Sequence, residues 1–178
     1  GYNVAVLTLA DQGQDFFLLP PEVARYRIGQ TKCRENYKGK VLNYVSIIRA
    51  LRKQLITLQT NNIVTFLPTA NILSILASIG LPIYKVVCER NNPYLQDGVN
   101  VYWRWLRMLT YPFADKITVN SSAAEKYCRR FKLFSKIIFL RNPPIPDPTT
   151  VNNLNNKIVL FVGRLVHQKG IDVLLNAL

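Results

Sequence analysis

The residues whose types and spacing could do chemistry gather near the end of the chain. In Phe161–Leu178 (FVGRLVHQKGIDVLLNAL) a β-rich run stops at Gly163, a helical pattern opens near Gly170, and Arg164, His167 and Lys169 stand between them. Free N–H groups and the macrodipole make a helix N-terminus positive, so cations there are misplaced unless an anion joins them. A phosphate or diphosphate resolves that conflict. The backbone N–H groups face it, Arg164 offers a bidentate fork and Lys169 a point charge. The same residues also read as solvated surface charges with Asp172 as a local partner, and physics alone leaves both readings open. The spacing matches neither G-x-G-x-x-G nor G-x-x-x-x-G-K-[ST], which excludes a dinucleotide fingerprint and a Walker loop.

A second polar group, Cys88–Pro93 (CERNNP), follows a β-rich run. It falls at the carboxyl end of an expected parallel strand, where open α/β sheets hold their ligands. Glu89, Arg90, Asn91 and Asn92 therefore read as cleft lining. The competing reading is a turn made by Asn91, Asn92 and Pro93, with Glu89 and Arg90 paired to each other. No His, Cys or carboxylate cluster has metal-ligand spacing. Cys33, Cys88 and Cys128 are odd in number and widely spaced, which supports neither a disulfide framework nor a CxxC site and points to a reducing, cytoplasmic setting.

These groups need elements to position them. Asn3–Leu9 (NVAVLTL) reads as a buried strand, and Asp15–Arg27 as two short extended pieces around Pro20 and Pro21. Between Val41 and Leu58, apolar residues at 41, 42, 45, 48, 51, 55 and 58 recur at helical spacing, giving an amphipathic surface helix. Ile63–Tyr84 carries no charge and passes a transmembrane length test of about 20 residues. Pro68, Asn71, Gly80 and Pro82 divide it, however, into a strand (Ile63–Leu67), a helix (Thr69–Ile79) and a second strand (Ile83–Cys88). Val99–Tyr111 reads as a helix closed by Pro112, with Trp103 and Trp105 on different faces, one for the core and one for solvent. Together with Tyr102, Arg104 and Arg107 they could meet a membrane interface or an acceptor lipid, core packing being the simpler role. Lys116–Asn120 is strand-like, Ser122 with Glu125 has the capping-box spacing for a helix to about Phe131, and Ile137–Leu140 is a further strand.

Strands alternating with helices, joined by connections too long for hairpins, imply parallel βαβ units. The fold class is therefore α/β, a Rossmann-like doubly wound parallel sheet. Pro143, Pro144, Pro146 and Pro148, followed by Asn152, Asn153, Asn155 and Asn156, mark a linker over 148–156. Lys157–Val162 then begins the first strand, and Ile171, Leu174, Leu175 and Leu178 the first helix, of a second domain.

Composition bounds the function. The chain has 178 residues, 49% of them hydrophobic and 19% charged, which suits a folded domain and excludes wholesale disorder. Its net charge of +13 draws it to phosphates, anionic lipid or nucleic acid without choosing among them. The basic residues are scattered, with no RNP, zinc-finger or KH pattern, so no nucleic-acid partner is expected, and a non-catalytic basic module is the weaker reading.

Gly163, Arg164, Leu165, Lys169, Gly170, Leu174, Leu175 and Ala177 together resemble the GRLxxxKGxxxLLxA signature that opens the donor-binding domain of family 4 retaining glycosyltransferases of the GT-B fold. Ala114–Ser122 (ADKITVNSS), Phe139–Ile145 (FLRNPPI) and Gly1–Leu9 resemble further segments of that family, so the resemblance spans essentially the whole chain. It implies an acceptor-side Rossmann-like domain over 1–147 and the start of a nucleotide-sugar-binding domain over 157–178. It also implies that Gly163, Arg164 and Lys169 bind the diphosphate of a nucleotide-sugar donor. Arg164 and Lys169 would stabilise the leaving-group charge electrostatically, without a metal or other cofactor. The acceptor would be a glycan or a lipid-linked saccharide, met at the inner face of an anionic membrane. At the position of Glu89 the family often carries a histidine, while ERNNP resembles a subset acting on lipid-linked or cell-surface glycans. His167 falls at a variable position and reads as a surface residue. The family also has an earlier strand with a glycine-rich loop, and a pair of glutamates in the donor domain. The resemblance finds neither in this chain, which is accordingly expected to be a fragment inactive alone. A GT-B sugar-nucleotide epimerase is the alternative enzyme.

Overall fold

The computed structural model describes residues 3–9, 18–28, 37–91, 94, 101–130, 136–143, 161–163 and 169–177. In chain order these form β1 (Ala5–Thr8), β2 (Ala24–Arg27), α1 (Tyr37–Thr57), β3 (Asn62–Phe66), α2 (Pro68–Ser78), β4 (Tyr84–Glu89), α3 (Val101–Thr110) with a 3-10 turn (Tyr111–Phe113), β5 (Lys116–Val119), α4 (Ser122–Arg129), β6 (Ile137–Phe139) and α5 (Ile171–Ala177). The class is α/β with parallel strands throughout. Among the described residues the strands make two sheets, the pair β1–β2 and the sequential four β3-β4-β5-β6. The linker over 148–156 and the strand expected at its far side lie outside the described residues, apart from Phe161–Gly163.

Register explains the core. Thr65, Val87 and Ile117 are laterally paired across β3, β4 and β5, and strand alternation puts Glu89 and Val119 on the same face two residues on. Against Val87, Ile117 and Val119 pack Ile72 and Ile75 of α2 and Ala124, Tyr127 and Cys128 of α4. A second cluster joins Leu51 and Leu55 of α1 to Ala77 and Ile83, with Leu7, Ile28 and Ile63 at its margin. Val64, Phe66 and Ile138, on the other face of the four-stranded sheet, are exposed.

Helix α2 accounts for the uncharged stretch at 63–84. Eight of its eleven residues are buried, because it lies under α1 and α3 and over the sheet. A helix covered on nearly every side has no face on which to keep a charge. Among the described residues no helix is long and apolar enough to cross a membrane. Its last turn is held from α1: the Arg52 guanidinium donates to the carbonyls of Ala77 (2.9 Å) and Ile79 (2.7 Å), satisfying acceptors that the helix cannot. Gly80, at φ +73°, then turns the chain.

Three local expectations shift. In α1 the buried stripe is Ile47, Leu51 and Leu55, whereas Val41, Leu42 and Val45 are exposed, because the face that meets α2 is rotated from the one that the apolar spacing outlines. The N-cap of α4 is Ser121, not Ser122: its Oγ accepts from the Ala124 amide at 3.3 Å. Glu125 thus falls one position too late for a capping box and instead pairs forward with Arg129 at 2.6 Å. Third, Arg107 is buried on the inner face of α3 and is unavailable to a membrane. The two tryptophans divide as expected, Trp103 packing on the core and Trp105 facing out.

Candidate functional site

All strands of the larger sheet point the same way, so their carboxyl ends share one edge. Three of the segments singled out in the sequence are tied together there. The Arg90 guanidinium, just past β4, donates to the Leu140 carbonyl (3.1 Å) and to Asn142 Oδ1 (3.3 Å), both just past β6. Asn120, which ends the ITVN strand, donates from Nδ2 to the Arg90 carbonyl at 3.2 Å. Arg90 therefore reaches across β5 to fix the ends of three neighbouring strands in one arrangement. Asn91 is half-buried beside it, while Asn92 and Pro93 lie outside the described residues.

Glu89 does something different. Its side chain turns inward, 1% exposed, and meets Arg107, itself 1% exposed, at 3.7 Å. The pairing of Glu89 with Arg90 weighed from the sequence does not form. Tyr111 Oη donates to Glu89 Oε1 and accepts from Asn71 Nδ2 at 3.2 Å. Asn71 also donates to the Cys88 carbonyl at 3.3 Å, and its Oδ1 accepts from Thr65 Oγ1 at 2.8 Å. Arg107 in turn lies over the Tyr127 ring, 5.8 Å from its centroid. One polar chain thus links β3, α2, β4 and α3 directly beneath the Arg90 rim.

Burial sets the protonation behaviour of this network. It pushes the Glu89 carboxyl above the ordinary carboxylate range, and the Arg107 charge and the Tyr111 hydrogen bond only partly pull it back. Burial and the Glu89 charge raise the Tyr111 phenol well above its usual value. They also push the Cys128 thiol up to about 12.

The signal for this network lay in two periodicities. Val87 and Glu89 are two apart on a strand, so a core-facing Val87 brings Glu89 with it. Arg107 lies four after Trp103 and three before Thr110, on the inward stripe of α3. An inward cation requires a partner, and an inward carboxylate sits at the end of the preceding strand.

Toward the carboxyl ends of β1 and β3 a shallow cleft of about 390 Å3 is lined by Leu9, Asn43, Tyr44, Leu67, Thr69 and Leu73, among others. Leu67 holds φ 75° and ψ 142°, so a bulky residue occupies a backbone region natural to glycine as β3 turns into α2. No side chain caps the first turn of α2.

Of the expected diphosphate-binding residues, Gly163 and Lys169 are described; Arg164, like His167, lies outside the described residues. A Cβ on Gly163 would come within 3.1 Å of the Phe161 ring and 3.9 Å of the Lys169 side chain, so the Lys169 stem lies against the glycine. Gly170, at φ +68°, makes the turn into α5. No group of three or more His, Cys, Asp or Glu able to hold a metal ion occurs among the described residues.

No family model matches the sequence. Over 170 residues the chain is 32% identical to GalNAc-alpha-(1->4)-GalNAc-alpha-(1->3)-diNAcBac-PP-undecaprenol alpha-1,4-N-acetyl-D-galactosaminyltransferase of Campylobacter jejuni subsp. jejuni serotype O:2. The match takes in 93% of this chain and 46% of that enzyme, so the chain spans about half the length of the curated relative it matches.

Proposed function

We propose that this chain forms the acceptor-side domain, and the opening of the donor-side domain, of a retaining GT-B glycosyltransferase of family 4. The enzyme would move a sugar from a nucleotide-diphosphate sugar to a lipid-linked saccharide. The observation that carries the reading is the match over 93% of the chain to a transferase whose name specifies an undecaprenol-diphosphate-linked acceptor. The tied strand ends at Arg90, Asn120 and Asn142 support it, because a parallel α/β sheet holds its ligands at that edge.

In this reading Arg164 and Lys169 hold the donor diphosphate and oppose the charge that grows on it as the sugar–phosphate bond breaks. Two fixed cations then do the work of a divalent ion. Arg90 and Asn91 form the wall of the acceptor side. Glu89 touches no acceptor; it holds α3 and β4 together beneath that wall.

The test is sugar transfer by the protein at the relative's full length. A panel of radiolabelled UDP- and GDP-sugars is offered with a synthetic undecaprenyl-diphosphate saccharide, and label is followed into the organic phase. Transfer should survive chelation of divalent ions and fall at least about a hundredfold in Arg164→Ala and in Lys169→Ala, the size expected for losing one charge-stabilising donor. The anomeric proton coupling of the product should show retention. A folded protein that transfers none of the sugars, or that transfers them equally well without Arg164 and Lys169, refutes the proposal.

A further inference from the structure

Helix α3 has two faces with opposite surroundings. Trp103, Leu106, Arg107 and Thr110 turn inward, and Trp103 meets the Tyr44 ring edge-on at 5.2 Å. Val101, Tyr102, Trp105, Met108 and Leu109 remain exposed, Trp105 by 58% and Tyr102 by 61%. At 3.6 residues per turn these five fall within an arc of about 120°. Exposed Arg104 borders the arc, and exposed Phe113 follows just past the end of the helix. Scattered apolar residues are ordinary on a protein surface, but a contiguous stripe of this kind marks something that covers it.

The chemistry of the stripe selects the occupant. Tyrosine and tryptophan, with an apolar body and a polar edge, settle at the headgroup level of a bilayer. No Asp or Glu occurs anywhere in 98–114, and the chain carries a net charge of +13. A helix with an apolar aromatic face, a cationic border and no anionic residue complements an anionic lipid surface. Ten residues of helix span about 15 Å, half a hydrocarbon core, so α3 can lie in the interface but not cross it.

We propose that the exposed face of α3, made by Val101, Tyr102, Trp105, Met108 and Leu109 with Arg104 at its border, docks on an anionic lipid bilayer, the helix lying in the plane of the headgroups. Arg107 is level with Glu89, the last residue of β4, so the first turn of α3 projects past the strand ends. Docking there sets the Arg90 edge at headgroup depth, where the polar part of a lipid-linked acceptor would lie. That last step rests on the proposed function, whereas the docking itself does not.

The test is sedimentation of the purified chain with sucrose-loaded vesicles, one set of phosphatidylcholine alone and one with about a third phosphatidylglycerol. The chain should sediment with the anionic vesicles, and sediment less with the neutral ones or at high salt. The double variant Trp105→Ser, Leu109→Ser should lose at least about fivefold in bound fraction with its circular dichroism unchanged, while Lys126→Ser, an exposed change on α4, should cost much less. Should the double variant not fold, Trp103→Phe leaves Trp105 as the sole tryptophan, whose emission brominated lipid should quench. A chain that stays in the supernatant, a folded double variant that binds like the wild type, or a Trp105 that is not quenched overturns the proposal. So does a chain that is dimeric in solution and becomes monomeric in the double variant, because a second copy would then own the face. Docking without sugar transfer by the longer protein would leave this proposal standing and sink only the previous one.

Discussion

Tyr111→Phe isolates the buried network, because it removes one oxygen and leaves the ring in place. That oxygen donates to Glu89 and accepts from Asn71, and all three residues are essentially buried. Asn71 Nδ2 keeps its bond to the Cys88 carbonyl, so the loss falls mainly on Glu89, whose remaining described partner is Arg107 at 3.7 Å. A hydrogen bond to a charged group contributes about 1.5–3 kcal/mol, more than a neutral pair. We therefore expect Tyr111→Phe to cost about 2–3 kcal/mol near neutral pH, and to lower the Tm by roughly 5–10 °C in a chain of this length.

The pH dependence makes the test sharper than the magnitude. The Glu89 carboxyl titrates higher in the fold than in the unfolded chain, so its contribution is fully present below the ordinary carboxylate range and is lost as pH rises through the folded value. The Tyr111 hydrogen bond is one of the two influences that pull that value down. Without it the folded value climbs further, and more stability is lost on ionisation. The gap between wild type and Tyr111→Phe should therefore widen from acid to neutral pH. Urea unfolding at a series of pH values measures it. A gap below about 0.5 kcal/mol at neutral pH, within the scatter of surface substitutions, or one that does not change with pH, would refute the reasoning.

Other consequences follow from single contacts. In a Cys33→Ser background the buried thiols of Cys88 and Cys128 should resist an aromatic disulfide reagent at mildly alkaline pH and react fully in urea; rapid labelling of folded protein at Cys128 would contradict its burial and its value of about 12. Ser121→Ala should cost about 1 kcal/mol and Ser122→Ala less than half of that, and the reverse order in thermal melts would restore the cap to Ser122. Arg52→Ala should cost about 1–2 kcal/mol by freeing two carbonyls at the end of α2, with no change in the slope of the urea transition. Partial burial raises the Asp115 carboxyl, but the Lys85 amide and ammonium, with Lys136, hold it below its ordinary range. Its contribution is therefore present above that range and lost as pH falls, and Asp115→Asn should flatten the acid limb of the stability profile slightly.

Which parts of this molecule could be read from its residues depends on how far apart the cause and the effect lie in the chain. The strand, helix, strand unit at 63–89 was legible because Pro68, Gly80 and Pro82 act on their own backbone, and because α2 shows its burial as an absence of charge over a continuous stretch. The cap of α4 was misread by one position because Ser121 and Ser122 are chemically alike, and only backbone geometry decides which oxygen reaches Ala124. Glu89 marks the harder limit. From sequence it is a charged residue at a ligand-bearing strand end, and that expectation aims it outward. What turns it inward is Arg107, eighteen residues later on a helix whose opposite face is apolar and exposed, so neither residue's burial shows in its own neighbourhood. Arg90, one residue on and of opposite alternation, takes the rim position and reaches Asn142, fifty-two residues away. The pair Glu89–Arg90 thus divides its labour by strand periodicity alone: the odd residue anchors the helix beneath and the even one ties the edge above. Exchanging the two types, Glu89→Arg with Arg90→Glu, keeps composition and charge and should nonetheless unfold the edge, because it buries a cation against Arg107 and offers an anion to the Leu140 carbonyl.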